Sequence, residues 1–204
     1  MIVRDAYRFL VPLAFLAVLA FFFGLTTAGL FVTALFAFVA FFFRNPTRTI
    51  PGDPGTIVSP ADGKVVRLER VGNVTRMSIF LSLFNVHVNR SPIAGRIEAV
   101  NYRPGKFLVA FSDKASTDNE RNIVMVSDGR ITIVFTQIAG IVARRIVFWK
   151  KAGDTVAKGE LVGLIRFGSR VDVLFPAGTE ATVSVGDRVK GGSTRIGIIK
   201  ETNG

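Results

Sequence analysis

The 204-residue sequence contains no cysteine and a single histidine, His87. Without cysteine the chain can form neither disulfide bonds nor thiolate metal sites, and it has no cysteine nucleophile. One histidine cannot supply the several imidazoles of a typical histidine zinc site. We therefore expect no bound metal.

Tyr and Trp are also scarce, at two and one, whereas Phe occurs 19 times. Eleven of these Phe lie in residues 9–43, a stretch without one charged side chain. Such a composition excludes an ordinary soluble globule and a disordered protein, and the stretch is too long for a signal peptide. It divides near residues 24–29 into two limbs of roughly 15 residues, which predicts a hydrophobic helical hairpin. At about 23 Å each, against about 30 Å of bilayer core, the limbs allow a thin span or a re-entrant hairpin.

Arginines flank this apolar stretch on both sides: Arg4, Arg8, Arg44 and Arg48. Under the positive-inside rule, a hairpin with both ends basic keeps both ends on the cytoplasmic side. We expect residues 1–43 to form an N-terminal anchor in the cell membrane. Residues 44–204 would then form a domain on its cytoplasmic side.

Acidic residues are the minority in residues 44–204, which keep 24 Lys+Arg against 14 Asp+Glu, a net charge of +10. A basic surface can bind nucleic acid or an anionic membrane. The basic residues are dispersed among apolar ones, without an aromatic-interleaved RNA motif. Together with the anchor, this favours an anionic membrane as partner and no nucleic acid.

Long amphipathic helices are missing from residues 44–204, where Pro and Gly dipeptides separate short β-rich runs. The runs are 64–69, 74–83, 96–102, 122–126, 130–137, 146–149, 161–167 and 171–175. Their spacing predicts a mainly β fold, a flattened barrel or sandwich.

A weak repeat adds to this pattern. The motif Gly-Asp-x-Val-x-x-Gly occurs from Gly153 and again from Gly186. It is similar to hairpins of biotinyl and lipoyl carrier domains, although the modified-lysine tip of such carriers is missing. We interpret both motifs as hairpin turns and include biotinyl-like hairpin elements in the predicted fold.

Three segments could carry chemistry. Asp62 lies in an Asp-Gly turn, His87 is the one side chain whose unperturbed pKa lies near neutral pH, and Ser193 follows two glycines close to the C-terminus. Each also has an ordinary structural explanation: a tight turn, a buried core histidine and a plain loop. Taken singly, none of them identifies an active site.

Taken with their surroundings, these segments form an ordered series of short motifs. The motifs are Phe43-Arg44-Asn45-Pro46, Ser59-Pro60-Ala61-Asp62-Gly63, Asn85-Val86-His87-Val88-Asn89-Arg90, Pro104-Gly105-Lys106-Phe107, Asn119-Glu120-Arg121-Asn122, Gln137-Ile138-Ala139-Gly140, Ala143-Arg144-Arg145, Arg166-Phe167-Gly168-Ser169-Arg170-Val171-Asp172 and Gly192-Ser193-Thr194. The series resembles phosphatidylserine decarboxylase proenzymes of the short, prokaryotic type.

The resemblance implies a chain that cleaves itself. Ser193 would attack the carbonyl of Gly192 and turn the amide into an ester; β-elimination and hydrolysis of the resulting dehydroalanine would leave a pyruvoyl group derived from Ser193. The products would be a large chain, 1–192, and a small chain, 193–204, held together as a heterodimer. The family's Asp-His-Ser constellation maps onto Asp62, His87 and Ser193, with Asp62 orienting His87 and His87 acting as base towards Ser193.

The implied reaction is decarboxylation of phosphatidylserine, or of an ether-lipid analogue, to the ethanolamine lipid. The pyruvoyl carbonyl would form a Schiff base with the serine amino group and accept the electrons released as carbon dioxide leaves, without metal or diffusible cofactor. An alternative is a non-enzymatic, membrane-tethered biotinyl-like adaptor module. It predicts an uncut chain with no need for Ser193.

One departure from the family concerns histidine. Longer members have two histidines spaced His-x-x-His, where this chain has one. An ungapped comparison places His87 at the first and Arg90 at the second, whereas a gap moves His87 to the second. Both alignments stay open, and our hypothesis is that His87 serves cleavage and decarboxylation in turn.

Overall fold

The computed structural model describes residues 1–105, 119–140, 145–166 and 168–199. Five residues of the motif series lie outside these ranges, as do residues 200–204 of the predicted small chain. The five are Lys106, Phe107, Ala143, Arg144 and Phe167. The chain divides into two compact units, Met1–Thr47 and Arg48–Gly204.

The first unit is a pair of helices, α1 (Tyr7–Phe22) and α2 (Thr26–Phe42), with a 3-10 turn before α1. The two ends of this unit lie together, because the Asn45 N–H donates to the Met1 carbonyl at 2.7 Å. The predicted helical hairpin is confirmed.

Most of the hairpin's apolar side chains face outward; Phe22 and Phe31 are 80% and 71% exposed. The helix from Arg4 to Phe22 is long and apolar enough to cross a membrane, and α2, with 17 residues, is shorter. Outward-facing apolar surface of this kind is typical of segments that contact lipid or another partner.

The second unit consists of short strands. Within the described ranges they are β1 (Thr56–Val58), β2 (Gly63–Val71), β3 (Val74–Leu81), β4 (Val88–Arg90), β5 (Gly95–Arg103), β6 (Arg121–Ser127), β7 (Thr132–Ala139), β8 (Ile146–Phe148), β9 (Thr155–Val156), β10 (Leu161–Ile165), β11 (Ser169–Phe175), β12 (Thr179–Ala181), β13 (Arg188–Val189) and β14 (Arg195–Ile199). The predicted mainly β fold is confirmed, and each of the eight predicted runs overlaps an observed strand.

Eight of these strands form one curled antiparallel sheet, in the order β13-β2-β3-β11-β7-β6-β5-β9. Its inner face carries the core, with Val65, Ile79, Val124, Phe135 and Val171 at 0% exposure. These side chains alternate with outward-facing ones, as pleated strands require. Two three-stranded sheets, β1-β14-β12 and β4-β10-β8, complete the unit.

The two copies of the Gly-Asp motif lie at opposite edges of the large sheet, because the strands that they contain, β9 and β13, are its outermost strands. Both copies form turns. Oδ2 of Asp154 accepts the Lys151 N–H at 2.9 Å, and Oδ2 of Asp187 accepts the Ser184 N–H at 2.8 Å. The sequence repeat is therefore a repeat of structure as well.

Candidate functional site

Ser193 lies in the loop between β13 and β14, and Ser59 holds this loop on both sides of the Gly192–Ser193 bond. The Gly192 N–H donates to the Ser59 carbonyl at 2.8 Å, and the Ser59 N–H donates to the Thr194 carbonyl at 2.9 Å. The loop closes on itself as well, since the Ser193 N–H donates to the Lys190 carbonyl at 3.1 Å. The bond between residues 192 and 193 is thus fixed in a tight turn.

Asp62 binds the same loop through its carboxylate. Oδ1 accepts the Gly191 N–H at 2.8 Å, and Nη2 of Arg48 lies 2.9 and 2.7 Å from the two carboxylate oxygens. The Asp62 and Arg48 side chains are only 13% and 9% exposed. Charge-assisted hydrogen bonds are stronger than neutral ones, so Asp62 fixes the position of the residue two before Ser193.

Gly192 itself has no room for a side chain. Its φ is +79°, a left-handed conformation that residues with a Cβ rarely adopt. A Cβ at residue 192 would lie 2.8 Å from Cδ of Arg90 and 3.1 Å from Cδ1 of Ile50. Glycine is needed here both for the backbone conformation and for the approach of Arg90.

The repeat supplies a second turn with the same construction. The Gly159 N–H donates to the Ser91 carbonyl at 2.8 Å, as Gly192 does to Ser59, and the φ of Gly159 is +76°. In each copy the serine Oγ donates to the carbonyl two residues further on, at 2.7 Å. The chain therefore contains two matching glycine turns, each built on a Ser-Pro segment.

The two turns differ in their chemical groups. At the position that corresponds to Ser193, the turn at Gly159 has Glu160. At the position that corresponds to Asp62, it has Ala94. Burial raises the pKa of Glu160, but hydrogen bonds from Lys150 and from the Ala157 N–H, with the charge of Lys150, outweigh this and lower it. The second turn thus carries an ionised side chain and no hydroxyl nucleophile after its glycine.

Arg90, at the end of β4, lies between the two turns. Its Nη1 donates to the Gly159 carbonyl at 2.8 Å, and its backbone N–H donates to the Pro60 carbonyl at 2.9 Å. Its side-chain stem covers Gly192 of the other turn. One arginine is therefore held by the second turn and placed against the first.

Arg90 also belongs to the charge cluster around Asp62. Burial and the positive charge of Arg48 lower the pKa of Arg90, while the Asp62 carboxylate acts in the opposite direction. Asp62 is therefore the negative charge that acts on both guanidinium groups. In the described ranges, no group of three or more His, Asp or Glu side chains could hold a metal ion.

His87 is 1% exposed and directly precedes β4. Its Nδ1 lies 2.9 Å from the Asn85 carbonyl oxygen. Because a carbonyl only accepts, Nδ1 carries the hydrogen, and Nε2 is the nitrogen that takes up a proton. Asp62 makes its hydrogen bonds to Arg48 and Gly191. The contacts of Asp62 given above do not include His87. The orientation of His87 by Asp62 therefore stays a prediction, as does the role of His87.

A buried hydrogen-bond network of amide side chains supports the site, and the sequence analysis did not predict it. Nδ2 of Asn122 donates to Oε1 of Gln137 at 3.0 Å, and Nε2 of Gln137 donates to Oδ1 of Asn89 at 2.9 Å. Nδ2 of Asn89 reaches the Pro60 carbonyl at 3.5 Å. The signal was present in the sequence, because Asn122 and Gln137 interrupt the apolar face of β6 and β7. This amide network connects the large sheet to the turn that contains Asp62.

The family profile described as phosphatidylserine decarboxylase matches residues 35–197. The chain belongs to the phosphatidylserine decarboxylase family. It is accordingly an enzyme, a decarboxylase, and the family match covers β1 to β13 and all of the loop that carries Ser193.

Individual relatives of the family are similar over most of the chain. The phosphatidylserine decarboxylase proenzyme of Solibacter usitatus is 57% identical over 159 residues, which cover 78% of each chain. That of Carboxydothermus hydrogenoformans is 47% identical over 205 residues, which cover 97% of this chain and 96% of the relative. The second match includes the helical hairpin, so the hairpin region is shared with that decarboxylase.

Proposed function

We propose that this chain is a self-processing, pyruvoyl-dependent decarboxylase that converts phosphatidylserine, or an ether-lipid analogue, to the ethanolamine phospholipid. The relatives are named phosphatidylserine decarboxylase proenzymes, which supports both the substrate and a cleaved precursor. The observation that carries the proposal is the Gly192–Ser193 bond in a left-handed glycine turn held by Asp62 and Ser59. Ser193 is the proposed nucleophile and source of the pyruvoyl group, and His87 the proposed base.

The surroundings of residue 193 fit a group made from the backbone itself. Ser59 bonds to residues on both sides of the bond to be cut, so both new ends would stay in place after cleavage. β14, which lies in the small chain, is the middle strand between β1 and β12. This arrangement supports a heterodimer of chains 1–192 and 193–204.

In the mature enzyme the pyruvoyl carbonyl would supply the electron sink for loss of carbon dioxide. The contribution proposed for His87 is proton transfer, first in cleavage and then at the substrate. Its Nδ1–H bond to the Asn85 carbonyl fixes the ring and leaves Nε2 basic. The Asp62 carboxylate keeps the loop at residue 191 in place through both stages.

We further propose that residues 1–43 anchor the catalytic domain, 44–204, on the cytoplasmic side of the cell membrane. The flanking arginines and the paired ends of the hairpin support this orientation. A basic domain anchored in the membrane would face the membrane surface that contains its anionic lipid substrate.

A decarboxylation assay tests the proposed function. Purified full-length protein is mixed with detergent-dispersed serine phospholipid labelled at the carboxyl carbon, and released carbon dioxide and ethanolamine lipid are measured. We expect the two products in equal amounts, and loss of activity after treatment with hydroxylamine, which captures carbonyl groups. A cleaved protein that releases no carbon dioxide would overturn the assignment, and an uncut, inactive protein would favour the adaptor alternative.

Alanine at the two equivalent glycines provides a matched pair of variants. Gly192→Ala and Gly159→Ala both force a side chain into a left-handed conformation, and both new Cβ atoms meet Ile50. We expect each to lower the free energy of unfolding by about 1–3 kcal/mol. Gly192→Ala should block cleavage, because its Cβ also displaces Arg90, whereas Gly159→Ala leaves the attacked residue unchanged and should slow cleavage less. Thermal unfolding and denaturing gels measure the two effects, and equal cleavage in both variants would contradict the account.

A further inference from the structure

The position of Arg90 suggests a function beyond packing. Its Cδ lies 2.8 Å, and its Nε 3.6 Å, from the point that a Cβ of Gly192 would occupy. The guanidinium group therefore lies beside the residue whose carbonyl is attacked in the proposed cleavage. Within the described ranges, the Gly192 carbonyl oxygen accepts none of the backbone or side-chain hydrogen bonds.

We propose that Arg90 is a catalytic residue of self-cleavage, whose positive charge stabilises the oxyanion that forms on the Gly192 carbonyl. The inference rests on the proposed cleavage between Gly192 and Ser193. It assigns a function to Arg90, which an ungapped comparison aligns with the second histidine of longer relatives.

The step can be written with all atoms in place. Oγ of Ser193 bonds to the carbonyl carbon of Gly192, its proton passes to a base, and the carbonyl electron pair moves to oxygen. When the oxyanion collapses, the bond from that carbon to the Ser193 nitrogen breaks, and the nitrogen takes up a proton. The product is an ester between Gly192 and the Ser193 side chain, and no oxidant or reductant is needed. Negative charge develops only on the carbonyl oxygen of Gly192, the residue against which the Arg90 side chain lies.

Arg90 is suited to stabilise this charge and not to act as the base. Arginine stays protonated in proteins, so the positive charge is present before the reaction starts. The side chain is also fixed in advance, by Nη1 on the Gly159 carbonyl and by the backbone bond to the Pro60 carbonyl. Charges that are already oriented towards a developing oxyanion typically contribute about 10²–10³ in rate.

The second turn explains how this orientation is achieved. Gly159 is the counterpart of Gly192, and its carbonyl accepts a hydrogen bond from Arg90. In that turn residue 160 is glutamate, so the same arginine faces no attacking hydroxyl. The unreactive copy of the repeat thus positions a charge for the reactive one.

The test measures the cleavage rate of the full-length chain, synthesised in a cell-free system with anionic vesicles and followed by the appearance of peptide 193–204 on denaturing gels. We expect Arg90→Gln to slow cleavage about 10²-fold and Arg90→Lys, which keeps the charge, to stay within about ten-fold of wild type. Arg188→Gln, which removes an exposed charge from β13 near the same loop, should cleave at the wild-type rate. Hydroxylamine, which cuts esters, should release no additional peptide from Arg90→Gln, because that variant stalls before the ester forms.

The outcomes separate this inference from the proposed function. An uncut wild-type chain would overturn both. Normal wild-type cleavage with an equally fast Arg90→Gln variant would overturn the role of Arg90 alone, and so would an ester that accumulates in that variant. If Arg90→Gln loses its cooperative thermal transition, the Lys variant decides: a folded Arg90→Lys protein that cleaves more than 100-fold slower than wild type contradicts a role based on charge.

Discussion

A Ser193→Ala protein is expected to remain one chain of 204 residues and to release no carbon dioxide from serine phospholipid. Alanine has no oxygen with which to attack the Gly192 carbonyl, and it cannot be converted to a pyruvoyl group. The rest of the loop should be unchanged, because the hydrogen bonds of Gly192, Ser193 and Thr194 use backbone atoms and Oγ1 of Thr194, not the Ser193 side chain. Denaturing gels and the decarboxylation assay measure the two losses.

Ser184→Ala is the matched control for this variant. Ser184 is an exposed serine in the Gly186-Asp187 turn, and its backbone N–H, not its side chain, bonds to Asp187. The control should cleave and decarboxylate like wild type. A Ser193→Ala protein that is still cut at residue 192, or that is uncut and active, would contradict the assignment of Ser193.

Asp62→Asn should produce the second large effect, on stability and on cleavage together. It removes the negative charge that acts on Arg48 and Arg90 and weakens the bond to the Gly191 N–H. Breaking a largely buried ion pair leaves its partner uncompensated, so we expect the free energy of unfolding to fall by about 3 kcal/mol. Cleavage should slow by at least about ten-fold, because the loop loses a charge-assisted hydrogen bond. Chemical denaturation and the rate at which the small chain appears on denaturing gels measure the two changes.

Asp53→Asn provides the comparison. Asp53 also pairs with an arginine, Arg195, just after the cleavage loop, but both side chains are more than half exposed. Exposed pairs contribute little, so stability should change by less than about 1 kcal/mol and cleavage should be unaffected. If Asp62→Asn is no more harmful than Asp53→Asn, the carboxylate does not hold the loop as described.

The sequence predicted the larger strands well, because runs of β-branched and aromatic residues between Pro and Gly turns are a local signal. It missed the five-residue β14 and also β1, β4, β9, β12 and β13, which have two or three residues each. Segments this short show no hydrophobic period. They become strands through their partners, as β1 does by pairing with β14 from the other end of the chain.

The sequence suggested which residues form the candidate site but not how they are arranged. Motifs identified Asp62, His87 and Ser193, but the hydrogen bonds of Asp62 go to Arg48 and to the backbone of Gly191. The contact between Arg90 and Gly192 depends on how β4 pairs with β10 and where the loop after β13 returns. Contacts between segments that are far apart in the sequence cannot be predicted from the local spacing of residues. The structural similarity of the two glycine turns is evident only from their hydrogen bonds to Ser59 and Ser91.

The mass of the purified full-length protein under denaturing conditions tests the central claim most directly. Self-processing at the glycine turn predicts two species, residues 1–192 and residues 193–204, with the small one beginning in a pyruvoyl group that reacts with hydrazine. A single species with the mass of the whole chain and an unmodified Ser193, found in detergent and in lipid alike, would contradict it.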